Sequence, residues 1–510
     1  MQPETGSANI ADSPCTGTRL PRLDGIQSQG QSGTCRPLGT RPVLARGCPD
    51  RRVLRDVRND RTDQRLAAFI LRWPTARRKA LTAGFSSPRG IPGTPGRSPI
   101  DPRAGPAQSG ASIVPPPPNP HALELPLTAP AQDLWNFAAV AAFGLEAVVA
   151  RELVDLGFDK PTIEDGRVWF RADAAGLCRA SLHLRSADRI LLVLGRFDAR
   201  DFGALFDQTR DLPWERWLGL DARFPVSGRS IRSQLHSVPD CQRIVKKAIV
   251  ERLKSAWSVA WCPETGPEYA VEVALVDDLA TLTIDTSGEG LHKRGYRIQG
   301  GAAPLRETLA AGLVQLSYWR PGRLLLDPFC GSGTILIEAA MLGRRIPPGL
   351  NRTFAAEAWP QVPAPVWDAA REQARAAILP PLTTRLLGGD RDAAVLNQAR
   401  RAARAAGVAD DIEFTSRAAS DWTELPAYGC LIANPPYGER LGTQPEVEDL
   451  YRRLGEDCQR LDAWSLYVLT AHPGFEALFG RKADRRRKLY NAKIACTYFQ
   501  YFGPRPPREG

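Results

Sequence analysis

No run of about 18 consecutive apolar residues occurs in the 510-residue chain, so no transmembrane helix is expected. The opening residues, "MQPETGSANIADSPC", lack a basic start and an apolar centre, so no secretory signal is expected there. Ten cysteines are scattered without a single Cys-x-x-Cys pair. That argues against a zinc ribbon or a thioredoxin-type redox pair and suits reduced thiols in a cytoplasmic protein. Only five histidines are present, none in a tight cluster, so no metal site is expected. The length exceeds a single core and predicts roughly two to four domains.

Charge is unevenly spread. The net charge is +11, but residues 1–120 hold 18 Lys and Arg against 8 Asp and Glu, and the remainder hold 49 against 48. Any nucleic-acid contact made by the body must therefore rest on local patches. Residues 1–128 are rich in Pro, Gly, Arg and Ser and end in "SIVPPPPNPHALELPLTAP". Only "RLAAFILRW" (Arg65–Trp73) has helical character. Such a composition buries too little apolar surface to offset chain entropy, so disorder is expected. Two readings stay open: a basic arm that tethers nucleic acid, or a dispensable extension from a start site placed too far upstream.

Order is expected from "LWNFAAVAAFGLEAVVARELVDLGF" onward. Strand-like "NFAAVA" leads to a helix near Leu145–Leu156, then to alternating "RVWFRAD" and helical "AGLCRASLHL". Further on come "RILLVLGRFDA", a helix near Phe202–Gln208, the helix "CQRIVKKAIVERLKSAW", and the hairpin of "YAVEVALVDD" with "ATLTIDTSG". This pattern predicts small α+β units of ferredoxin-like type. From about Gly300, strands alternate with helices: helix "LRETLAAGLVQLSYW", strand "RLLLDPF", helix "TILIEAAML", strand "RLLGGD", helix "AAVLNQARRAARAAG", strands "IEFTS" and "CLIANPP", a helix over Val447–Leu461, and strand "SLYVLTA". That alternation predicts a doubly wound, mostly parallel α/β sheet.

Three pieces carry chemistry. In "LLLDPFCGSGT" a strand ends at Asp327, then a Gly331-Ser332-Gly333 turn opens a helix near Thr334. Glycines permit close backbone approach, and a helix N-terminus offers free N–H groups and a positive dipole end. The stretch lacks GxxxxGK[ST] and the third glycine of GxGxxG, which disfavours nucleoside triphosphates and dinucleotides. In "LLGGDRD", Asp390 closes the next strand, where a carboxylate can accept both hydroxyls of a ribose; Asp392 suits the N-cap of the following helix. In "CLIANPPYGERLG", Asn434 ends a strand on the same rim. Pro435 and Pro436 stiffen the backbone, so the Asn434 amide oxygen and the Pro435 carbonyl form two preset acceptors. They suit a nucleobase amine, which offers two N–H donors, and Tyr437 offers a stacking face.

"DPFCGSGT" with "NPPYGERLG" resembles the amino-methylating class I S-adenosylmethionine-dependent methyltransferases. Together with "GLHKRGYR", "APLRETLAAGL" and "SQLHSVPDCQRIVKKAIVERL", the chain is similar to the bacterial THUMP-domain RNA methyltransferases, nearest the 23S rRNA guanine-N2 enzymes. The resemblance covers roughly 137–501. It leaves 1–128, the extension whose composition predicts disorder, unexplained, and implies a ferredoxin-like region over 129–190, a THUMP RNA-binding domain over 191–298 and a Rossmann-like methyltransferase domain over 299–505. It implies S-adenosyl-L-methionine as cofactor, held by Asp327, Gly331, Gly333 and Thr334 at its methionine end and by Asp390 at the ribose. Asn434, Pro435, Pro436 and Tyr437 would hold the target guanine. The family's adenine-contacting Asp follows the third strand closely; here Asp421 stands about three residues late. The family's closing "YNG" hairpin reads "YNA" at Tyr490-Asn491-Ala492.

Two basic clusters flank these motifs: Arg243–Lys254, with Lys246, Lys247 and Arg252 as RNA-binding candidates, and Arg481–Lys493. They suit phosphate contact with 23S rRNA or a large-subunit precursor in rRNA processing. The competing readings are an N6-adenine methylase of DNA or RNA and a non-catalytic RNA-binding assembly factor.

Overall fold

The computed structural model describes residues 134–164, 166–297, 305–417, 422, 425–437 and 444–507. The expected disordered extension, 1–128, lies outside the described residues. No described helix is long and apolar enough to cross a membrane.

Two seven-stranded sheets organise the described residues. The first holds β1 (Trp135–Ala141), β2 (Thr162–Glu164), β3 (Arg167–Ala172), β4 (Ala187–Asp198), β5 (Val226–Ile231), β6 (Val271–Val276) and β7 (Leu279–Asp285). Their order is β2-β3-β1-β4-β7-β6-β5. The long strand β4 serves two neighbours in succession. Its first half pairs antiparallel with β1, and its second half pairs antiparallel with β7. One continuous sheet therefore runs from the ferredoxin-like part into the part that follows. The β6–β7 hairpin turns through Asp277 and Asp278, at φ 52° and 64°. Two positive φ values at the centre of a two-residue loop match the twist of a type I′ turn.

Helices cover this sheet. Asp173 and Asp201 begin two of them by accepting from Gly176 N at 2.7 Å and Ala204 N at 2.8 Å. Each such cap is worth about 1 kcal/mol. The helix Val238–Trp257 buries Cys241, Val245, Ala248, Ile249 and Leu253, a helical stripe facing the core.

The second sheet holds β8 (Leu325–Asp327), β9 (Leu386–Asp390), β10 (Ile412–Ser416), β11 (Cys430–Ala433), β12 (Ser465–Thr470), β13 (Arg485–Asn491) and β14 (Ile494–Tyr501). Its order is β10-β9-β8-β11-β12-β14-β13. The first five strands are parallel; β14 and β13 close the edge antiparallel. β11 is buried at every residue, as expected of a parallel strand with helices on both faces. The helix expected over "LRETLAAGLVQLSYW" ends early, at Gln315. Ser317 Oγ donates to the Val314 carbonyl at 2.6 Å, a local bond that competes with further helix.

A helix at Ala364–Ala376, not anticipated above, belongs in sequence to the second sheet's domain but packs on the first. Trp359, Val362, Trp367 and Ala374 join the core around β1 and β4. Burying a large side chain of this kind contributes roughly 1.5–3 kcal/mol. The two sheets are further joined by a buried polar network. Arg185 donates to the Ile346 carbonyl at 2.8 Å, and its backbone N–H donates to Glu152 at 2.9 Å. Arg294 pairs with Glu338 at 3.4 Å, and Tyr296 donates to the same Glu338 oxygen at 3.0 Å. Truncating one partner of a buried pair strands the other charge, so loss of Arg294 or Glu338 alone is expected to be strongly destabilising.

Candidate active site

Three parallel strands end on one rim. β8 ends at Asp327, β9 at Asp390, and β11 at Ala433 with Asn434 next. From β8 the chain runs outward through β9 to β10, then returns to β11 on the other side of β8. Loops leaving β8 and β11 diverge there and open a crevice at the carboxyl ends of the strands.

The glycine turn after β8 is a bare cradle. Gly331 sits at φ +53° with nothing within 4 Å of where a Cβ would stand. Gly333 sits at φ +77° as the N-cap of the helix Thr334–Gly343, and a Cβ there would meet Phe414 at 2.9 Å. Gly333 therefore requires glycine, and the φ of Gly331 favours it. Asp390 secures the turn to the next strand: Oδ2 accepts from Gly331 N at 3.1 Å, and Oδ1 accepts from Asp392 N at 2.9 Å. Each oxygen keeps a further lone pair for a ligand hydroxyl. Asp392 itself is the N-cap of the helix Ala393–Ala405, accepting from Ala394 N at 2.8 Å.

Asp327 is 1% exposed and accepts from Phe329 N at 3.1 Å. Burial, reinforced by the neighbouring Asp390 carboxylate, pushes its pKa up to about 8 against the pull of that N–H. A buried carboxyl of this kind is poised to ionise when a cation arrives. Thr334 Oγ1 accepts from Arg297 at 2.9 Å and lies 3.2 Å from Ser332 Oγ. Arg297 also donates to the Leu305 carbonyl at 3.1 Å and pairs with Glu307 at 3.2 Å. A guanidinium thus stands at the opening of the cradle's helix. Acidic groups at the strand ends, a glycine cradle and a cationic helix start fit a ligand with hydroxyls, an ammonium and a carboxylate.

The Asn434-Pro435-Pro436-Tyr437 turn is clamped from two sides. Tyr451 OH donates to the Pro436 carbonyl at 2.8 Å and shares a 2.9 Å hydrogen bond with Thr470 Oγ1. Asn491 Nδ2 donates to Tyr437 OH at 2.9 Å, and Cys496 Sγ reaches the same oxygen at 3.6 Å. Tyr437 is only 5% exposed, so little of its ring is open for the stacking expected above, and its hydroxyl acts as an anchor. Asn434 Oδ1 is buried and, among the described residues, has no hydrogen-bond partner. A buried acceptor left unmade costs about 1–3 kcal/mol, so this oxygen is open to a donor from a ligand or a water.

Other expected residues lie elsewhere. Asp421 is outside the described residues. Trp422, just after it, lies under the Arg417 guanidinium at 4.5 Å and would meet a Cβ at Gly389 at 2.9 Å. On the helix Val238–Trp257, Lys246 pairs with Glu264 at 2.7 Å and donates to the Phe224 carbonyl at 3.0 Å. Arg252 forms a fork with Glu215, at 2.8 Å through Nε. Lys247 lies 5.6 Å over the Phe206 ring. Both Lys246 and Arg252 thus have internal carboxylates to satisfy them. The roles of Tyr451, Thr470 and Arg297, and of Asn491 beyond its place in the hairpin, are not visible in the sequence, because no local pattern marks a residue whose partner comes from another segment.

Comparison with known proteins places this geometry. The family described as "RMKL-like, methyltransferase domain" matches residues 294–500. The RlmL ferredoxin-like domain matches 136–191, and the THUMP domain matches 199–285. YpsC of Bacillus subtilis, whose name assigns it provisionally to RNA methyltransferases, is 46% identical over 74% of this chain and 98% of its own. The ribosomal RNA large subunit methyltransferase K/L of Aliivibrio fischeri is 34% identical over 72% of this chain; the match spans 53% of that longer protein. Two crystal structures superpose at TM-score 0.70. One, from Listeria monocytogenes, is provisionally called an N6-adenine-specific DNA methylase, with 47% identity over 73% of this chain and 97% of its own. The other, SMU.472, is provisionally named a methyltransferase and is complexed with SAH, with 41% identity over 74% of this chain and all of its own. The chain therefore belongs to the RMKL-like methyltransferase family, with RlmL-type ferredoxin-like and THUMP domains ahead of the catalytic domain.

Proposed function

We propose that this chain methylates the exocyclic N2 amine of a guanine in large-subunit 23S rRNA. S-adenosylmethionine is the cofactor, and it supplies an electrophilic methyl group on its sulfonium. The acceptors at the strand ends and the cradle of Gly331 and Gly333 would hold it. Asp327 would face its cationic amino-acid end, Asp390 its ribose hydroxyls, and Thr334 opens the supporting helix.

The observation that carries the reading is the buried Asn434 Oδ1, unpartnered among the described residues, beside a backbone stiffened by two prolines. Asn434 Oδ1 and the Pro435 carbonyl would accept the two amine protons. A nucleobase amine is a poor nucleophile because its lone pair is delocalised into the ring. Hydrogen bonds to both protons draw the nitrogen toward sp3 and aim that lone pair, which is positioning and electrostatic catalysis without a strong base. RNA as substrate is supported by the names of the Bacillus and Aliivibrio relatives, and large-subunit rRNA by the latter. The Listeria neighbour's name favours a second reading, an adenine N6 amine, which presents the same two protons.

The test uses labelled S-adenosylmethionine and rRNA from cells lacking the gene, followed by digestion to nucleosides. Label in N2-methylguanosine is expected. Label in N6-methyladenosine would transfer the assignment to the second reading, and no label in RNA would overturn both. Asn434→Ala should lower transfer roughly 10²–10³-fold, the usual effect of removing one preorganised polar group, while RNA affinity holds. Undiminished transfer by that variant would remove Asn434 from catalysis.

A further inference from the structure

The basic cluster at Arg481–Lys493 takes no part in the site above, yet its strand β13 ends at Asn491, whose amide anchors Tyr437. The loop before the helix Glu146–Asp155 lies against this strand. A Cβ on Gly144 would stand 2.6 Å from the Lys488 carbonyl, and Arg487 donates to the Gly144 carbonyl at 3.2 Å. Cations on an edge strand often serve only to repel other strands. Here the loop already lies on that edge beside Lys488, so guarding does not account for them.

Charge is crowded at this junction. Burial, reinforced by the like charges of Arg485 and Arg151, holds Arg487 below the usual arginine range. Its Nε is buried without a hydrogen-bond partner among the described residues. Glu146 is the carboxylate acting on Arg487, and its Oε2 already accepts from Gly144 N at 2.8 Å. Asp155 is the carboxylate acting on Arg151. Arg485, Lys488 and Lys493 are exposed. Beside them an aromatic pair reaches the surface. Phe143, 44% exposed, meets Tyr490 edge-on at 5.7 Å, and Lys488 lies 5.6 Å over the Tyr490 ring.

We propose that this junction is a landing site for the single-stranded RNA flanking the target nucleotide, with Arg485, Arg487 and Lys493 taking phosphates and Phe143 taking a base face. The proposal rests on RNA being the substrate. Crowded cations are relieved by a polyanion, and an exposed ring interleaved with them suits a strand that alternates phosphates with bases. Phosphate contact alone would use the charges and leave the ring idle. The position also suits the chemistry. The β13–β14 hairpin end at Asn491 and Ile494 lies beyond the carboxyl end of β12, on the rim that carries the site.

The experiment measures binding of an unmodified rRNA fragment to the full chain over a salt series, beside SAH affinity and thermal unfolding. Arg485→Ala and Lys493→Ala should each weaken RNA binding and flatten the log–log salt slope by about 0.7. Phe143→Ala should weaken binding roughly 5- to 100-fold with the slope unchanged. Unchanged RNA affinity in all three would overturn the proposal. So would a loss of RNA affinity matched by equal losses in SAH affinity and melting temperature, which would mark the residues as structural. A loss with Arg485→Ala and Lys493→Ala but none with Phe143→Ala would overturn the base contact and reduce the junction to a phosphate track. Failure of the guanine assignment shows separately, in the nucleoside digest.

Discussion

The amide of Asn491 donates to the phenolic oxygen of Tyr437 at 2.9 Å, joining the last hairpin of the sheet to the turn that holds Asn434. The two residues are 4% and 5% exposed. Asn491→Leu keeps the branching and the heavy-atom count and removes the donor. Loosening a positioned group by a fraction of an ångström can cost up to roughly 10²-fold, so kcat should fall by roughly tenfold or more. SAH affinity should hold, because the cradle lies on other strands. Asn491→Asp lets the phenol donate instead and should recover part of the rate. An unaltered kcat in Asn491→Leu would show that Tyr451 and the two prolines stiffen the turn alone.

Asp327 predicts a proton linked to cofactor binding. In the free protein its carboxyl keeps its proton to about pH 8, against 3.8 for an ordinary Asp. The folded state therefore binds more protons than the unfolded state between these values, and this group's contribution to stability falls as pH rises through that window. A ligand ammonium favours the carboxylate. SAH affinity should accordingly rise with pH, by up to about tenfold per unit below pH 8, and level off above it. Calorimetry in buffers of different ionisation enthalpy should register proton release at neutral pH. Asp327→Asn should bind more weakly with a flat pH profile; a retained slope would assign the proton elsewhere.

Arg297 brings a positive charge to the helix start through Thr334 Oγ1. If it complements a ligand carboxylate, Arg297→Met should weaken SAH by roughly 1.5–3 kcal/mol, the usual worth of a charged hydrogen bond. Binding of 5′-methylthioadenosine, which lacks the amino-acid end, should change little. Arg297→Lys should recover part of the loss. Equal losses for both ligands would reduce Arg297 to a brace for the helix.

Ala492 opens the two-residue loop between β13 and β14 at φ 54°, where the family's "YNG" has glycine. An L-residue in this conformation costs roughly 1–2 kcal/mol. Glycine's extra freedom in the unfolded chain takes back about 0.5–1 kcal/mol. Ala492→Gly should therefore stabilise the protein by roughly 0.5 kcal/mol, read as a raised denaturation midpoint. A lowered midpoint would mean that the methyl group packs usefully.

The doubly wound sheet was legible because short apolar strands alternate with amphipathic helices, and each strand's end is marked by a polar residue or a turn. Asp392 was legible as a cap for the same local reason. The helix Ala364–Ala376 was missed, since its neighbouring prolines read as loop and its apolar face serves the other sheet's core. The charge run on Val238–Trp257 was visible as charge. That Lys246 and Arg252 fold back onto Glu264 and Glu215 was not, because a carboxylate's approach depends on how distant segments pack.

The sequence alone determined the strand-end chemistry: Asp327, Asp390 and Asn434, each with the glycines or prolines that shape its turn. Those properties are local, set by φ restriction and by the residue next door. Tertiary structure decided which of these groups are buried, which are left unpartnered and which are held. The raised pKa of Asp327 beside Asp390 and the anchoring of Tyr437 by Asn491 both arise from segments tens of residues apart. Desolvation and hydrogen-bond pairing act through space, and only the packed chain brings those groups within reach.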